Sequence, residues 1–444
     1  MTERAVEERT EAGTGKSVNF HSCAAATPQA SLSLSIEGGR PLRGEVEVDG
    51  AKNAALPALA AALLTDDPVV LHRVPALRDV ATMVSTIASL GKRVEDGGPT
   101  LRLEGGPARG EPDGRLVEQM RASILVLGPL VARLGEAVVP LPGGCTIGRR
   151  PIDYHLDGLR ALGAAVEERL DAVAVRAARL RGARIRLPFP SVGATEQLVM
   201  AATLAEGETT IENPAQEPEV LDLVALLQGM GAWIEVVEGA IRVRGVPRLH
   251  GAEHTVISDR LEAGTYLLAG AITGGEVIVR RAVPAHLAPL LALLRQAGLS
   301  VHEGTHEIAV AGRRARPVGV ATAPHPGFPT DLQPPLVAWL SLGEGRSTVR
   351  ERVFEKRFAY VPSLERMGAR IRVEEDHLAI DGVPSLRGAD VEAPDIRAGA
   401  ALVLAGLAAP GRTTVGHVER IERGYARMDE KLRQLGGTVE RQAG

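Results

Sequence analysis

Leu287-Ala-Pro-Leu-Leu-Ala-Leu-Leu-Arg-Gln-Ala-Gly298 is the stretch from which the fold can be read. Leu287, Leu290, Leu291 and Leu294 recur at the spacing of one helix face, and Gly298 stands where a helix ends in a left-handed residue. A strand pattern follows. The same succession occurs six times, with turns at Leu90-Gly91, Leu162-Gly163, Met230-Gly231, Ala297-Gly298, Met367-Gly368 and Leu435-Gly436. Their glycines are 72, 68, 67, 70 and 68 residues apart. Alternating segments such as Ile234-Glu-Val-Val and Ile241-Arg-Val-Arg predict strands between the helices. A period this long is unlike the short repeats of solenoids.

Each unit also carries a second, more apolar helix, beginning near Ala51, Arg121, Gly193, Arg260, Asp331 and Asp395. The first runs Ala55-Leu-Pro-Ala-Leu-Ala-Ala-Ala-Leu-Leu64. A helix apolar on most faces is buried, and small residues let such helices approach closely. Close packing of these helices accounts for 50 glycines beside only 2% aromatic residues.

The segment Leu34–Asp49 resembles Leu378–Glu392 and Ile241–Ile257, which close earlier units, whereas the sixth unit stops near Glu440 without such strands. The N-terminal segment is therefore expected to supply them. The expected architecture is α/β, in two lobes of three units each. Residues 32–50 with 259–444 form one lobe, 51–258 form the other, and 1–31 are a flexible tail.

Composition narrows the function. Of 444 residues, 45% are hydrophobic and 24% charged, which excludes a disordered chain. A net charge of −4 gives no global field for nucleic acid, and scarce aromatic rings offer no stacking platform. Apolar runs are too short for membrane insertion, and residues 1–31 lack the apolar stretch of a secretion signal, so a cytoplasmic location is expected. The two cysteines, Cys23 and Cys145, make no disulfide framework, and paired Cys/His metal spacing is absent.

Polar residues collect at the starts of the apolar helices: Lys52-Asn53, Arg121, Ser191–Thr195, Asp259-Arg260, Thr330-Asp331 and Asp395-Ile-Arg397. Asp and Ser there are ordinary caps. Lys52, Arg121, Arg260 and Arg397 are not, because cations are disfavoured at the positive end of a helix dipole. A shared anionic ligand explains them. Lys52 carries added weight, because only five of the 51 basic residues are lysine. The loop Leu141-Pro-Gly-Gly-Cys-Thr-Ile-Gly-Arg-Arg-Pro151 sets Cys145 beside Arg149 and Arg150, and neighbouring cations raise a thiol's thiolate fraction. Val353-Phe-Glu-Lys-Arg-Phe358 and Ile421-Glu-Arg-Gly-Tyr425 add Arg357 and Arg423.

At these motifs, with Gly50-Ala-Lys-Asn-Ala-Ala-Leu-Pro57 and Phe328-Pro-Thr-Asp331, residues 34 to 440 resemble the enolpyruvyl transferase family, in the branch that acts on UDP-N-acetylglucosamine. The resemblance implies two inside-out α/β lobes closing on substrate. It implies transfer of the enolpyruvyl group of phosphoenolpyruvate to the sugar 3-hydroxyl with release of phosphate. The reaction runs by addition and elimination through a tetrahedral ketal, as the first committed step of peptidoglycan synthesis, with no metal or organic cofactor. It implies Asp331 as base and Cys145 as acid or covalent-adduct former, the thiol that the epoxide fosfomycin alkylates. Lys52, Arg121, Arg150, Arg397 and Arg423 match the cations around phosphoenolpyruvate, with Lys52 and Arg397 counted among the catalytic groups. Asn53 matches a sugar contact. Asp153, Ser191, Val192 and Gly193 match the uridine diphosphate side, and Val353, Glu355, Arg357 and Asp395 match further cleft residues. The chain departs from the family at Pro188-Phe-Pro190, where some relatives carry Lys, and at Pro334-Pro335. These departures motivate one alternative, a paralogue acting on another uridine nucleotide such as UMP in nucleoside-antibiotic synthesis. A second alternative is a catalytically silent binding protein.

Overall fold

The computed structural model describes residues 32–143, 151–312, 314–355 and 357–443. Cys23 and the tail, and Cys145 and Arg150 of the Leu141–Pro151 loop, lie outside the described residues. The described chain forms six sheets, five of four strands and one of three. All six turn glycines, Gly91, Gly163, Gly231, Gly298, Gly368 and Gly436, have φ between 86° and 110°, the left-handed helix end expected of them.

The N-terminal strands complete sheets built from the far end of the chain. Leu32–Gly38 lies antiparallel between Gly411–Gly416 and Thr438–Ala443. Arg43–Glu47 runs parallel to Glu276–Arg280. Correspondingly, Ala252–Thr255 runs parallel to Val69–His72, closing the first unit's sheet with a strand that follows the third unit.

Two hydrophobic cores result. One gathers residues from Leu34–Val48 and Leu261–Val439, the other residues from Ala51–Val256 together with Ala426. In the first, the helices Arg260–Thr273, Gln333–Leu340 and Ile396–Ala408 pack on one another. In the second, Lys52–Ala61 and Leu127–Leu134 pack against Val192–Ala202. The sheets and amphipathic helices surround these buried helices. Two of the six buried helices begin as 3₁₀ turns, Arg121–Val126 and Thr330–Leu332. Pro334 and Pro335 sit in the first turn of Gln333–Leu340, where a missing N–H costs no hydrogen bond.

The glycine count has a second origin besides helix packing. A Cβ on helical Gly158 or Gly264 would strike Leu198 or Leu332 side chains. A Cβ on Gly38, Gly245 or Gly382 would instead fall 2.0, 1.5 or 2.0 Å from the backbone oxygen of Gly406, Ala205 or Gly343. There the strand end crosses directly over the last turn of a buried helix or the turn that follows it.

The chain passes between the cores twice, side by side. Gly50 bridges Ser258, Ala51 N–H donates to Ile257 O at 2.7 Å, and Asp259 N–H donates to Asp49 O at 3.0 Å. Buried Lys431 ties the crossings together, donating to Asp49 Oδ2 at 2.9 Å and Glu262 Oε1 at 2.6 Å. No helix of the described residues is long and apolar enough to cross a membrane.

Candidate functional site

The starts of the buried helices from both cores converge on one cleft of about 1130 Å³. Fourteen of the sixteen residues that the family resemblance assigns to the site line it: Lys52, Asn53, Arg121, Asp153, Ser191, Val192, Gly193, Asp331, Val353, Glu355, Arg357, Asp395, Arg397 and Arg423. Cys145 and Arg150 are the two outside the described residues.

Asp331 sits at the centre. Its Oδ1 is 2.7 Å from Arg357 Nη2 and its Oδ2 is 3.1 Å from Arg397 Nε. Burial opposes its ionisation, but Arg357, Arg397 and Lys52 outweigh that and hold the carboxyl below the usual carboxylate range. Arg357 and Arg397 are each 3% exposed. Burial disfavours the Arg397 charge, yet Tyr425 and Asp331 more than compensate and leave its pKa raised. Arg397 also lies over the Tyr425 ring, 5.0 Å from its centroid. Arg397 Nη1 and Arg357 Nε are buried and have no hydrogen-bond partner among the described residues. Buried donors of this kind call for an explanation, and a bound acceptor is one that this cleft position allows.

Capping and cleft-lining turn out to be compatible. Asp395 accepts from Arg397 N–H at 2.8 Å and Ala398 N–H at 3.0 Å, which fixes the helix start that aims Arg397. Asp259 caps its helix in the same way, accepting from Leu261 and Glu262 N–H, both at 2.9 Å, and from Lys52 N–H at 3.2 Å. Ser191 caps Val192–Ala202. Arg121 opens its 3₁₀ turn and donates to Pro151 O at 3.0 Å.

Several cleft residues were not expected from the sequence. Asp79 binds Lys52 at 3.2 Å and Arg423 at 2.8 Å. Glu351 holds the Val353–Arg357 loop, accepting from Val353 N–H, Phe354 N–H and the hydroxyls of Thr322 and Thr330. Glu219 takes Arg260 Nε at 3.0 and 3.2 Å, an ion pair between the two cores. Arg260 was grouped with the anion-binding cations, but this carboxylate already engages it. The sequence signals for these acids were weak: Asp79 and Glu219 stand in the first turn of a helix, where a carboxylate reads as an ordinary dipole partner, and Glu351 follows a strand with no local pattern.

Glu196, 3% exposed, has a buried Oε1 with no partner among the described residues. Burial first, then the charges of Glu219 and Glu217, push its carboxyl well above the usual range. A raised acid stabilises the fold fully below its unfolded pKa and loses that contribution as pH rises toward the folded value. Glu196→Gln is therefore expected to melt progressively above the parent protein as pH rises from 5 to 8. The divergence in stability is at most about 1.4 kcal/mol per pH unit. Parallel melting curves across that range would remove the buried neutral acid from the account.

Comparison with known proteins adds to this geometry. The family model described as EPSP synthase (3-phosphoshikimate 1-carboxyvinyltransferase) matches residues 36–432. A UDP-N-acetylglucosamine 1-carboxyvinyltransferase of Symbiobacterium thermophilum is 50% identical over 418 residues, covering 91% of this chain and 94% of the relative. One from Granulibacter bethesdensis is 49% identical over 417 residues, covering 93% and 99%. Among solved structures, the enolpyruvyl transferase NikO from Streptomyces tendae superposes with a TM-score of 0.84 at 29% identity, over 94% of this chain and all of that one (100%). An EPSP synthase from Acinetobacter baumannii, at 19% identity and a TM-score of 0.72 over 93% of this chain and 100% of its own, shares the fold.

Proposed function

The chain belongs to the carboxyvinyl (enolpyruvyl) transferase family, on the UDP-N-acetylglucosamine 1-carboxyvinyltransferase side, and from that premise we propose how its cleft works. It is an enzyme that transfers the enolpyruvyl group of phosphoenolpyruvate to the 3-hydroxyl of UDP-N-acetylglucosamine and releases phosphate, a step of peptidoglycan synthesis. The observation that carries the site assignment is the pair of buried guanidiniums, Arg357 and Arg397, each with an unused donor beside an ionised Asp331. Phosphoenolpyruvate presents a carboxylate and a phosphate, and both classes of anion fit such donors.

The same geometry suggests how Asp331 becomes a base. A carboxylate engaged by two arginines is a poor proton acceptor. An arriving anion shares those cations, lowers their pull on Asp331 and raises its basicity. Asp331 then takes the proton of the acceptor hydroxyl as that oxygen attacks C2 of phosphoenolpyruvate. The methylene carbon gains a proton, for which Cys145 is the proposed donor. Lys52, Arg397 and Arg423, with Arg121 and Arg150, neutralise charge on the phosphate, which leaves as the ketal collapses, while the methyl carbon gives up a proton and the enol double bond re-forms. Asn53 is assigned to the sugar. Asp153, Ser191, Val192 and Gly193 are assigned to the nucleotide side, with Val353, Glu355 and Asp395 completing the wall. The two cores serve as the closing lobes, 32–50 with 259–444 and 51–258. A soluble, cytoplasmic setting suits these substrates.

Phosphate release from the purified protein tests the reading. Release is expected only when phosphoenolpyruvate and UDP-N-acetylglucosamine are both present. Release with UMP in place of the UDP-sugar would shift the assignment to another nucleotide acceptor, and no release with either would overturn it.

A further inference from the structure

A carboxylate in a cleft built for anions should weaken what the cleft is for. Asp79 is such a group: it lines the cleft, is 5% exposed, and opens the helix Arg78–Ser89. Its Oδ2 takes Lys52 Nζ at 3.2 Å, from a residue whose neighbours pack in the same core. Its Oδ1 takes Arg423 Nε at 2.8 Å, from the Ile421–Tyr425 segment, which packs in the other core. One carboxylate thus holds a cation from each side of the cleft, and Ala426, three residues past Arg423, packs into the core that contains Leu77 and Val80 on either side of Asp79.

We propose that Asp79 is a built-in counter-anion, a positioning residue that holds Lys52 and Arg423 ready for substrate and competes with phosphate for them. The inference rests on the reading of the cleft as a phosphoenolpyruvate and phosphate site. Two consequences follow from charge alone. The thin, flexible stem of Lys52 is fixed before substrate arrives, so less ordering remains to be done on binding. After transfer, the Asp79 charge weakens the hold of the two cations on product phosphate and so favours its departure.

A structural role and a counter-anion role predict opposite signs. Removing a structural residue loosens the site and weakens every ligand. Removing a negative charge within several ångströms of a bound anion tightens it, by about tenfold or more at the effective dielectric of a partly buried site. The experiment is calorimetric titration of inorganic phosphate at fixed ionic strength into the parent protein, Asp79→Asn and Asp79→Glu, with kcat measured on the same preparations. Asp79→Asn is expected to bind phosphate about tenfold more tightly and to turn over more slowly. Asp79→Glu, which keeps the charge, is expected to bind it no more tightly than the parent. Equal or weaker phosphate binding by Asp79→Asn overturns the counter-anion role while leaving the assigned reaction intact. A parent that turns over but binds no phosphate overturns it too. A parent that neither binds phosphate nor releases it from any acceptor mixture removes the functional reading itself. Should Asp79→Asn fail to fold, the smaller neutral Asp79→Ser is read in the same way, and circular dichroism establishes that each variant is folded.

Discussion

Asp331→Asn is expected to lower kcat by about 10²–10⁴-fold, the range of a lost general base. The substitution keeps the size of the side chain and an oxygen for Arg357 or Arg397, which sit 2.7 and 3.1 Å away in the parent. It removes the ability to accept a proton. It also removes a negative charge from between two buried cations, so affinity for phosphoenolpyruvate should be kept or increased. Steady-state kinetics with phosphoenolpyruvate varied at saturating UDP-N-acetylglucosamine separates these effects. A fall in kcat with unchanged or lower KM supports the role. A parent-like kcat would mean that another group takes the hydroxyl proton. Loss of both parameters together would point to collapse of the arginine pair instead.

Among the described glycines, Gly245→Ala should be the most damaging substitution. Its new Cβ would lie 1.5 Å from Ala205 O and 2.7 Å from Ala205 C, atoms that belong to backbone and have no rotamer to escape into. The crossing is held on both sides of Gly245, with its own N–H on Gly207 O at 2.9 Å and Val246 N–H on Thr203 O at 2.8 Å. Relief therefore requires breaking a hydrogen-bonded crossing, at a cost of about 3 kcal/mol or more. Gly163→Ala is the control, since nothing lies within 4 Å of its Cβ and only its left-handed φ of 88° is penalised, by about 1–2 kcal/mol. Scanning fluorimetry should place Gly245→Ala well below Gly163→Ala, or the variant should fail to accumulate in soluble form. Equal melting points would mean that the strand end can lift off the turn without loss.

The fold was largely legible because it is repeated. One glycine after each amphipathic helix, seen six times, is a signal that no single unit supplies. The crossing glycines were visible too, since Gly38, Gly245 and Gly382 hold matching positions in the related segments Leu34–Asp49, Ile241–Ile257 and Leu378–Glu392. Their cause was not visible, because close approach of two backbones far apart in sequence leaves no local pattern. The candidate site was legible where a residue broke a local rule, as cations at helix starts do. Asp79, Glu219 and Glu351 obey local rules and become informative only when the partner from a distant unit is in place. The weight placed on Lys52 as a rare lysine needs a different basis. All three lysines among the described residues whose side chains are placed, Lys52, Lys92 and Lys431, are buried, at 7%, 2% and 7% exposure. Lys92 does no work in the cleft. It donates to Thr65 O at 2.8 Å, and burial pulls its pKa down to about 8. What the three share is burial, where a compact ammonium needs fewer acceptors than a five-donor guanidinium.

The strand Leu32–Gly38, lodged between Gly411–Gly416 and Thr438–Ala443, sets an order of assembly during synthesis. The core drawn almost wholly from residues 51–256 is continuous in the chain, so it can pack while the remainder is still being made. The core that needs Leu34 and Ile36 beside Val415 and Val439 cannot be completed until nearly the whole chain is out. Until then the first strand is an unpaired edge with an apolar face, the kind of segment that pairs wrongly or calls for a chaperone. Its contacts span almost the whole described sequence, which makes its docking the slow, high-contact-order event in folding. The side of the cleft carrying Lys52, Asp79 and Arg121 therefore can take shape first, whereas Arg357 and Arg397, which hold Asp331, belong to the part of the chain whose core is completed last.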